Sequence, residues 1–137
     1  MIKQVAHVNI MTSDLAACEA FYCGILGMEK AFEFLKDGKL FGFYLKAGAN
    51  TFIEVFAESQ PPATDRLPIK HLCLEVDDLD EVIRVVRGKG WPISDKKLGC
   101  DNAWQSWLAD PGGVQIELHQ YTPQSSHFTG EPCIVDW

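Results

Sequence analysis

Apolar and polar positions alternate along several short stretches of the chain, and this alternation predicts β-strands. In residues 4–11, Ala6, Val8 and Ile10 fall on one face, and His7 falls on the other. An amphipathic helix is predicted next, because apolar residues recur at helical spacing after the candidate caps Ser13 and Asp14. That apolar stripe consists of Leu15, Cys18, Phe21, Tyr22 and Ile25. Further strands are predicted near 30–36, 40–47 and 51–57, separated by glycine-containing turns.

The same order of elements begins again after a polar segment with three prolines, residues 58–68, which we interpret as a linker. Residues 69–76 predict a strand, and Asp77 or Asp78 then offers a cap for a second amphipathic helix. Strands are predicted near 92–96, 103–109 and 113–120, the last two joined by a turn at Asp110-Pro111-Gly112-Gly113. Residues 122–137 have no clear periodicity and are predicted to form a C-terminal tail.

An internal repeat explains this recurrence. A shift of about 64 residues places His7 on His71 and Asp14 on Asp78, and a shift of about 63 places Glu54 on Glu117. Each half therefore contains strand, helix, strand, strand, strand. We predict an α+β fold with two βαβββ modules, about 3–57 and 69–121, within one domain of 1–137. The modules are expected to form a cupped, mixed β-sheet with the helices on its outer face.

The alternation also predicts which side chains face away from the helices. Residues two apart on a strand share a face, so His71 lies opposite Leu72, and Glu117 lies opposite Ile116. The same logic places His7 and Glu54 on the face opposite the helix.

Four polar side chains, two from each module, are therefore expected to converge on one metal ion. They are His7, Glu54, His71 and Glu117. Two imidazoles and two carboxylates suit Ni²⁺, Zn²⁺, Co²⁺, Fe²⁺ or Mn²⁺. A single histidine on a half-buried strand is more often a hydrogen-bonded core residue than a ligand. The repetition of the histidine and its glutamate in the second module favours ligation, because burying four ionisable groups on one face costs free energy unless a counter-charge is present.

Composition narrows the function classes. The 137 residues carry 12 Lys and Arg against 19 Asp and Glu, a net charge of −7, which argues against a nucleic-acid surface. No apolar run approaches the ~20 residues of a membrane helix, and no secretory signal is recognisable at the start of the chain. Five scattered cysteines without a C-x-x-C motif favour reduced thiols and a cytoplasmic location.

Three segments resemble the vicinal oxygen chelate superfamily, which includes glyoxalase I, bleomycin-resistance proteins and extradiol dioxygenases. They are HVNIMTSDLAACEAFYCGILGM, KHLCLEVDDLDEVIRVVRGKG and WLADPGGVQIELHQY, and the resemblance spans roughly 3–120. It implies paired βαβββ modules around a metal, with the ligand pattern of the glyoxalase I branch at the four residues named above. Members pair their modules within one chain or across a dimer, and we expect a homodimer.

Two positions depart from that branch. Met11 stands where bacterial glyoxalase I usually has an arginine for the glutathione γ-glutamyl group, and Glu58 replaces a usual asparagine. A glutathione adduct is therefore not the expected substrate. The remaining residues of the cup face suit a small polar metabolite with an apolar side. They are Phe52, Phe56, Cys73, Gln115, His119 and Trp107. A packing or hydrogen-bonding role fits His119 at least as well, and a place in the core or at an interface fits Trp107 better than substrate binding.

The sequence thus predicts a metal-dependent lyase or isomerase that removes a proton next to a carbonyl of a metal-chelating metabolite. Glu117, and Glu54 on the opposite face, are the expected general bases. One alternative is a small-molecule binding or resistance protein of the same fold without catalysis. Another is an extradiol-type dioxygenase, against which the presence of Glu54 weighs.

Overall fold

The computed structural model describes residues 5–60, 69 and 71–133. These residues divide into two compact units. The first contains the described residues before His71 together with Asp110–Val114, and the second contains His71–Ala109 and the described residues from 115 onward. Most of the predicted linker, residues 61–68, and the last four residues of the predicted tail lie outside the described ranges.

The first unit is a four-stranded mixed sheet with one helical segment. Its strands are β1 (His7–Thr12), β2 (Lys30–Lys36), β3 (Lys39–Lys46) and β4 (Phe52–Ala57), in the order β1-β4-β3-β2. β1 and β4 run parallel, and the other neighbours are antiparallel. The turn between β2 and β3 is tight because Asp37 and Gly38 both adopt positive φ, at 52° and 75°.

The first helical segment begins where the sequence predicted. Asp14 is the N-cap and its side chain accepts a hydrogen bond from the Ala17 N–H at 2.9 Å. The chain forms the α-helix α1 over Leu15–Glu19 and then continues as a π-helix over Ala20–Ile25. Cys18, Phe21 and Tyr22 are buried on this segment, as the apolar stripe requires.

The second unit repeats the arrangement. Its strands are β5 (His71–Glu75), β6 (Lys97–Leu98), β7 (Trp104–Ala109) and β8 (Gln115–Gln120), in the order β5-β8-β7-β6. The helix α2 spans Leu79–Gly88, and its cap Asp78 accepts from the Glu81 N–H at 3.0 Å. The α+β class and the two βαβββ modules are thus confirmed, whereas the cupped arrangement of the two sheets stays a prediction.

The predicted strand at 92–96 is wrong. The structure has a strand of two residues, Lys97–Leu98, in its place. Ser94 occupies the edge of β7 in an irregular way: its N–H donates to the Trp107 carbonyl, and its Oγ accepts from the Trp107 N–H, both at 2.8 Å. A side-chain hydroxyl thus replaces a ladder carbonyl, and Pro92 has no N–H to donate. A short helix, α3 (Ser126–Thr129), also lies within the predicted tail.

No helix in the described part of the chain is both long enough and apolar enough to cross a membrane. The five cysteines are all within the described ranges, and none forms a disulfide.

Asp110 holds together the turn Asp110–Val114, which belongs to the first unit. Its Oδ1 accepts from the N–H groups of Gly112 and Val114, both at 2.8 Å, and its Oδ2 accepts from the Tyr22 hydroxyl at 3.0 Å. Both side chains are almost fully buried. Burial, followed by the charge of Asp110, raises the pKa of Tyr22 well above its usual value, so the phenol remains a neutral donor.

We expect Tyr22→Phe to lower the free energy of unfolding by about 1–3 kcal/mol, because a buried carboxylate oxygen loses its donor. Urea denaturation of the purified protein measures this. Tyr121→Phe is the matched control, since Tyr121 is only half-buried and this change should stay within about 0.5 kcal/mol. Equal stability of the two variants would contradict the importance of this hydrogen bond.

Candidate metal centre

A histidine and a glutamate meet in each unit through the parallel pair of strands. In the first unit, His7 lies on β1 and Glu54 on β4, and the His7 Nε2 and Glu54 Oε2 atoms are 3.9 Å apart. In the second, His71 lies on β5 and Glu117 on β8, with His71 Nε2 and Glu117 Oε2 3.3 Å apart. The imidazoles are nearly half exposed, whereas the carboxylate side chains are only 13% and 12% exposed.

Strand register explains why these pairs form. Asn9 on β1 is the ladder partner of Glu54, and Cys73 on β5 is the ladder partner of Glu117. In both units the histidine precedes that partner by two residues and therefore shares its face. The internal repeat found in the sequence is thus also a repeat of hydrogen-bonding register.

The two pairs have different surroundings. In the first unit, Asn9 Nδ2 donates to Glu54 Oε2 at 2.9 Å, and the Tyr44 hydroxyl lies 3.3 Å from His7 Nδ1. Desolvation raises the pKa of Tyr44, and a hydrogen bond with Glu54 and the charge of that carboxylate raise it further. If His7 is protonated on Nδ1, it donates to the Tyr44 oxygen, and its Nε2 lone pair is free beside Glu54.

In the second unit, the neighbours of Glu117 are the Cys73 thiol and the His119 imidazole. Burial, and then the charge of Glu117, raises the pKa of Cys73 to about 12, so this thiol is protonated at neutral pH. The other Glu117 oxygen, Oε1, lies 3.4 Å from His119 Nδ1. The ring of Trp107 stands edge-on to His71 at a centroid distance of 4.9 Å.

The donor set of each pair fits a divalent cation. Metal–ligand bonds of about 2.1 Å separate neighbouring donor atoms by roughly 3–3.5 Å, which the second pair matches and the first approaches. In the described part of the chain, neither Glu54 nor Glu117 forms an ion pair with a lysine or an arginine. Two nearly buried carboxylates therefore lack a fixed counter-charge, which a cation would supply.

Most of the other predicted site residues lie around these pairs within their own units. Phe52 is the ladder partner of His7, and Gln115 is the ladder partner of His71. Cys73, His119 and Trp107 adjoin Glu117 or His71, as described above. Phe56 lies further along β4 and contacts other aromatic rings rather than the His–Glu pair.

Sequence reasoning missed Asn9 and Tyr44. Both could have been found from register: Asn9 lies two residues after His7, and Tyr44 is the ladder partner of Glu54 on β3. Trp107 is the ladder partner of Glu117 on β7, so Tyr44 and Trp107 are equivalent positions of the repeat.

An aromatic cluster, also absent from the sequence predictions as a group, covers part of the first sheet. The stacked rings of Phe32 and Tyr44 are 4.6 Å apart at 17°, and Phe34 meets Phe56 edge-on at 5.0 Å. The cluster consists of Phe32, Phe34, Phe41, Tyr44, Phe52 and Phe56. Because Tyr44 also contacts His7, this apolar surface adjoins the first His–Glu pair.

Comparison with known proteins identifies the family. A model of the Glyoxalase/Bleomycin resistance protein/Dioxygenase superfamily matches residues 4–118. The chain belongs to this superfamily. It is 28% identical over 127 residues to the uncharacterized protein YaeR of Escherichia coli, covering 87% of this chain and 97% of YaeR.

Two solved structures show the same fold at lower identity. Lactoylglutathione lyase from Agrobacterium tumefaciens has a TM-score of 0.66 at 21% identity, covering 87% of this chain and 94% of that one. TnmS3, an antibiotic binding protein from Streptomyces, has a TM-score of 0.72 at 21% identity, covering 88% and 98%. The same fold thus occurs in a protein named as a lyase and in one named as an antibiotic binding protein.

Gly42 on β3 permits the aromatic cluster to close. It is the ladder partner of Phe34 on one side and of Phe56 on the other. A methyl group at this position would overlap the Val55 carbonyl oxygen and the Phe56 ring. The absence of a side chain lets the two rings meet across the glycine.

We expect Gly42→Ala to lower the free energy of unfolding by about 1–3 kcal/mol through this overlap and to reduce the near-ultraviolet circular dichroism of the aromatic cluster. Gly24→Ala is the matched control, because a methyl group there meets open space, and it should be neutral or stabilise by up to about 1 kcal/mol. An unchanged aromatic signal in Gly42→Ala would show that the rings do not depend on the glycine.

Proposed function

We propose that this protein is a metal-dependent lyase or isomerase that removes a proton next to a carbonyl of a small metabolite with two adjacent oxygens. The observation that supports this most strongly is the pair of His–Glu sites at equivalent register in the two units. His7, Glu54, His71 and Glu117 are the proposed ligands of one divalent cation. When bound, such a cation polarises the substrate oxygens and makes the neighbouring C–H more acidic.

The surroundings of the two carboxylates support different proposed roles for them. Glu54 accepts a hydrogen bond from the Asn9 amide at 2.9 Å, which holds the carboxylate in place. Glu117 contacts a thiol, a weak donor, and an imidazole nitrogen at 3.4 Å. Glu117 is therefore the proposed general base that accepts the substrate proton, because the Asn9 amide holds Glu54 in place. His119 Nδ1 is close enough to orient Glu117 Oε1.

The aromatic cluster supports a substrate with an apolar side. It adjoins His7 through Tyr44, whereas Glu117 and His71 adjoin the polar side chains of Gln115 and Cys73. A compact hydroxy-carbonyl compound that carries an apolar substituent matches both surroundings. Met11 and Glu58 offer no positive charge to a glutathione carboxylate, so the proposal does not extend to glutathione adducts.

Metal binding should depend on both units. Protein purified without chelator is expected to contain a divalent metal. The double variant His7→Ala, His71→Ala should contain one equivalent less than the unmodified protein, because each change deletes an imidazole ligand. Elemental analysis and Co²⁺ titration measure this. Gln115→Ala is the control, since Gln115 faces the same side of the sheet but is not a proposed ligand.

A binding protein without catalysis is the second candidate, favoured by the aromatic cluster and by the similarity to TnmS3. It predicts that quenching of intrinsic fluorescence by aromatic compounds is the same before and after chelator treatment. A metal content unchanged by the two histidine substitutions, together with chelator-independent quenching, would favour this candidate over the enzyme.

Glu117→Gln should abolish proton abstraction while the fold survives. Exchange of the carbon-bound proton next to the carbonyl, followed by NMR in D₂O over a panel of small hydroxyaldehydes and hydroxyketones, reports the step directly. For the compounds that exchange with the unmodified protein, we expect a loss of at least about 100-fold. Glu131→Gln, at an exposed position, should exchange normally. Full exchange by Glu117→Gln loaded with metal would rule out its role as base.

A further inference from the structure

His119 is buried without a hydrogen bond. Its side chain is 8% exposed, and in the described part of the chain neither ring nitrogen has a hydrogen-bond partner. The nearest acceptors are Glu117 Oε1, 3.4 Å from Nδ1, and Asp101 Oδ2, 3.6 Å from Nε2. An imidazole buried in this way is destabilising unless something else satisfies it.

Nε2 of His119 lies beside two further potential metal ligands of the second unit, Asp101 and His127. Asp101 precedes β7, and His127 lies on the short helix α3. The donor atoms of Asp101, His119 and His127 all lie within 4.8 Å of one another. His127 Nδ1 is 3.9 Å from Asp101 Oδ2. The cluster therefore draws two imidazoles and a carboxylate from three separate elements.

The backbone around Asp101 is fixed by hydrogen bonds that leave one carboxylate oxygen available. Asp101 Oδ1 accepts from the Ala103 N–H at 3.2 Å, and the Asp101 carbonyl accepts from the Ser126 N–H at 2.8 Å. The Thr122 and Ser125 hydroxyls both donate to the Asn102 carbonyl, at 2.7 and 3.1 Å. These bonds join the turn before β7 to the segment that carries His127, while Oδ2 faces the imidazoles.

We propose that Asp101 Oδ2, His119 Nε2 and His127 Nδ1 bind a second divalent cation of the zinc class. Two imidazole nitrogens and one carboxylate oxygen form a set that Zn²⁺ and Co²⁺ accept, with one position left for solvent. The Nδ1 side of His119 faces Glu117 at 3.4 Å, so a hydrogen bond formed there when the cation binds would give a carboxylate–histidine–metal arrangement and leave Nε2 free as the ligand. Tyr121 flanks the cluster, its ring 4.9 Å from each imidazole.

This second site uses none of His7, Glu54 and His71, so it goes beyond the proposed function. The competing explanation is a protonated His119 between two carboxylates, with no metal. Neither nitrogen of His119 forms a hydrogen bond with its neighbouring carboxylate at these separations of 3.4 and 3.6 Å, whereas a protonated imidazole between two carboxylates would donate to both.

The test is a Co²⁺ and Zn²⁺ titration of chelator-treated full-length protein carrying His7→Ala and His71→Ala. We expect this protein to retain one equivalent per chain, seen by calorimetry and by the visible absorption of Co²⁺ in a low-symmetry site. Adding His127→Ala should weaken binding by more than the roughly 10- to 100-fold typical of losing an outer-shell partner. Asp101→Asn should weaken binding in the same way, because it removes the charged ligand. It should leave the turn intact, because Oδ1 can still accept from the Ala103 N–H.

Glu131→Gln in the same background is the matched control and should bind as the background does, since Glu131 is an exposed acid close to α3 in sequence. Circular dichroism of the metal-free variants checks that each is folded. Binding that His127→Ala leaves unchanged would overturn the proposal and place the ion instead on the neighbouring group Cys73, Glu117 and His119. No binding in the background would overturn it as well.

The outcomes separate this proposal from the proposed function. Loss of all metal from the variant His7→Ala, His71→Ala would contradict the second site and support the first. A single equivalent in the unmodified protein that the two substitutions do not affect would contradict the first site and support the second.

Discussion

The parallel pairing of the first and last strands of each module is the constraint on which the candidate metal centre depends. A parallel ladder needs a crossover, which here consists of the helix and the two intervening strands. It also brings side chains from the two ends of a module onto neighbouring strands. In both units the ladder places a histidine from the first strand beside a glutamate from the last. Without that pairing, residues 46 or 47 positions apart would have no reason to meet.

Each sheet has a buried and an accessible face, and this separation makes the pairs chemically usable. Ile53 and Val55 on β4, and Ile116 and Leu118 on β8, are buried. The glutamates between them necessarily point to the opposite face, where their carboxylates are mostly covered but their imidazole partners remain nearly half exposed. Side chains held on strands in this way are fixed by the backbone, while the imidazoles remain accessible from solvent.

The two modules have equivalent strands and register, but they carry different side chains around their glutamates. Equivalent positions carry Asn9 and Cys73 beside the glutamates, and Tyr44 and Trp107 on the third strand. In the first module an amide donates to the carboxylate and an aromatic surface adjoins it, whereas in the second module the neighbours of the carboxylate are a thiol and an imidazole. The buried His119 has no equivalent histidine in the first module, because Phe56 occupies that position of β4.

The sequence by itself determined the elements and the faces. Hydrophobic periodicity and the aspartate caps located both helices, seven of the eight strands and the His–Glu positions, because these are local properties of the chain. The tertiary structure decided what depends on register and on distant segments. Ser94 replaced a ladder carbonyl where a strand was predicted, and Asn9 and Tyr44 became neighbours of Glu54 and His7. His127, in a segment without periodicity, reached Asp101 and His119 because hydrogen bonds between residues 20 or more positions apart hold that segment in place, and no local pattern encodes such bonds.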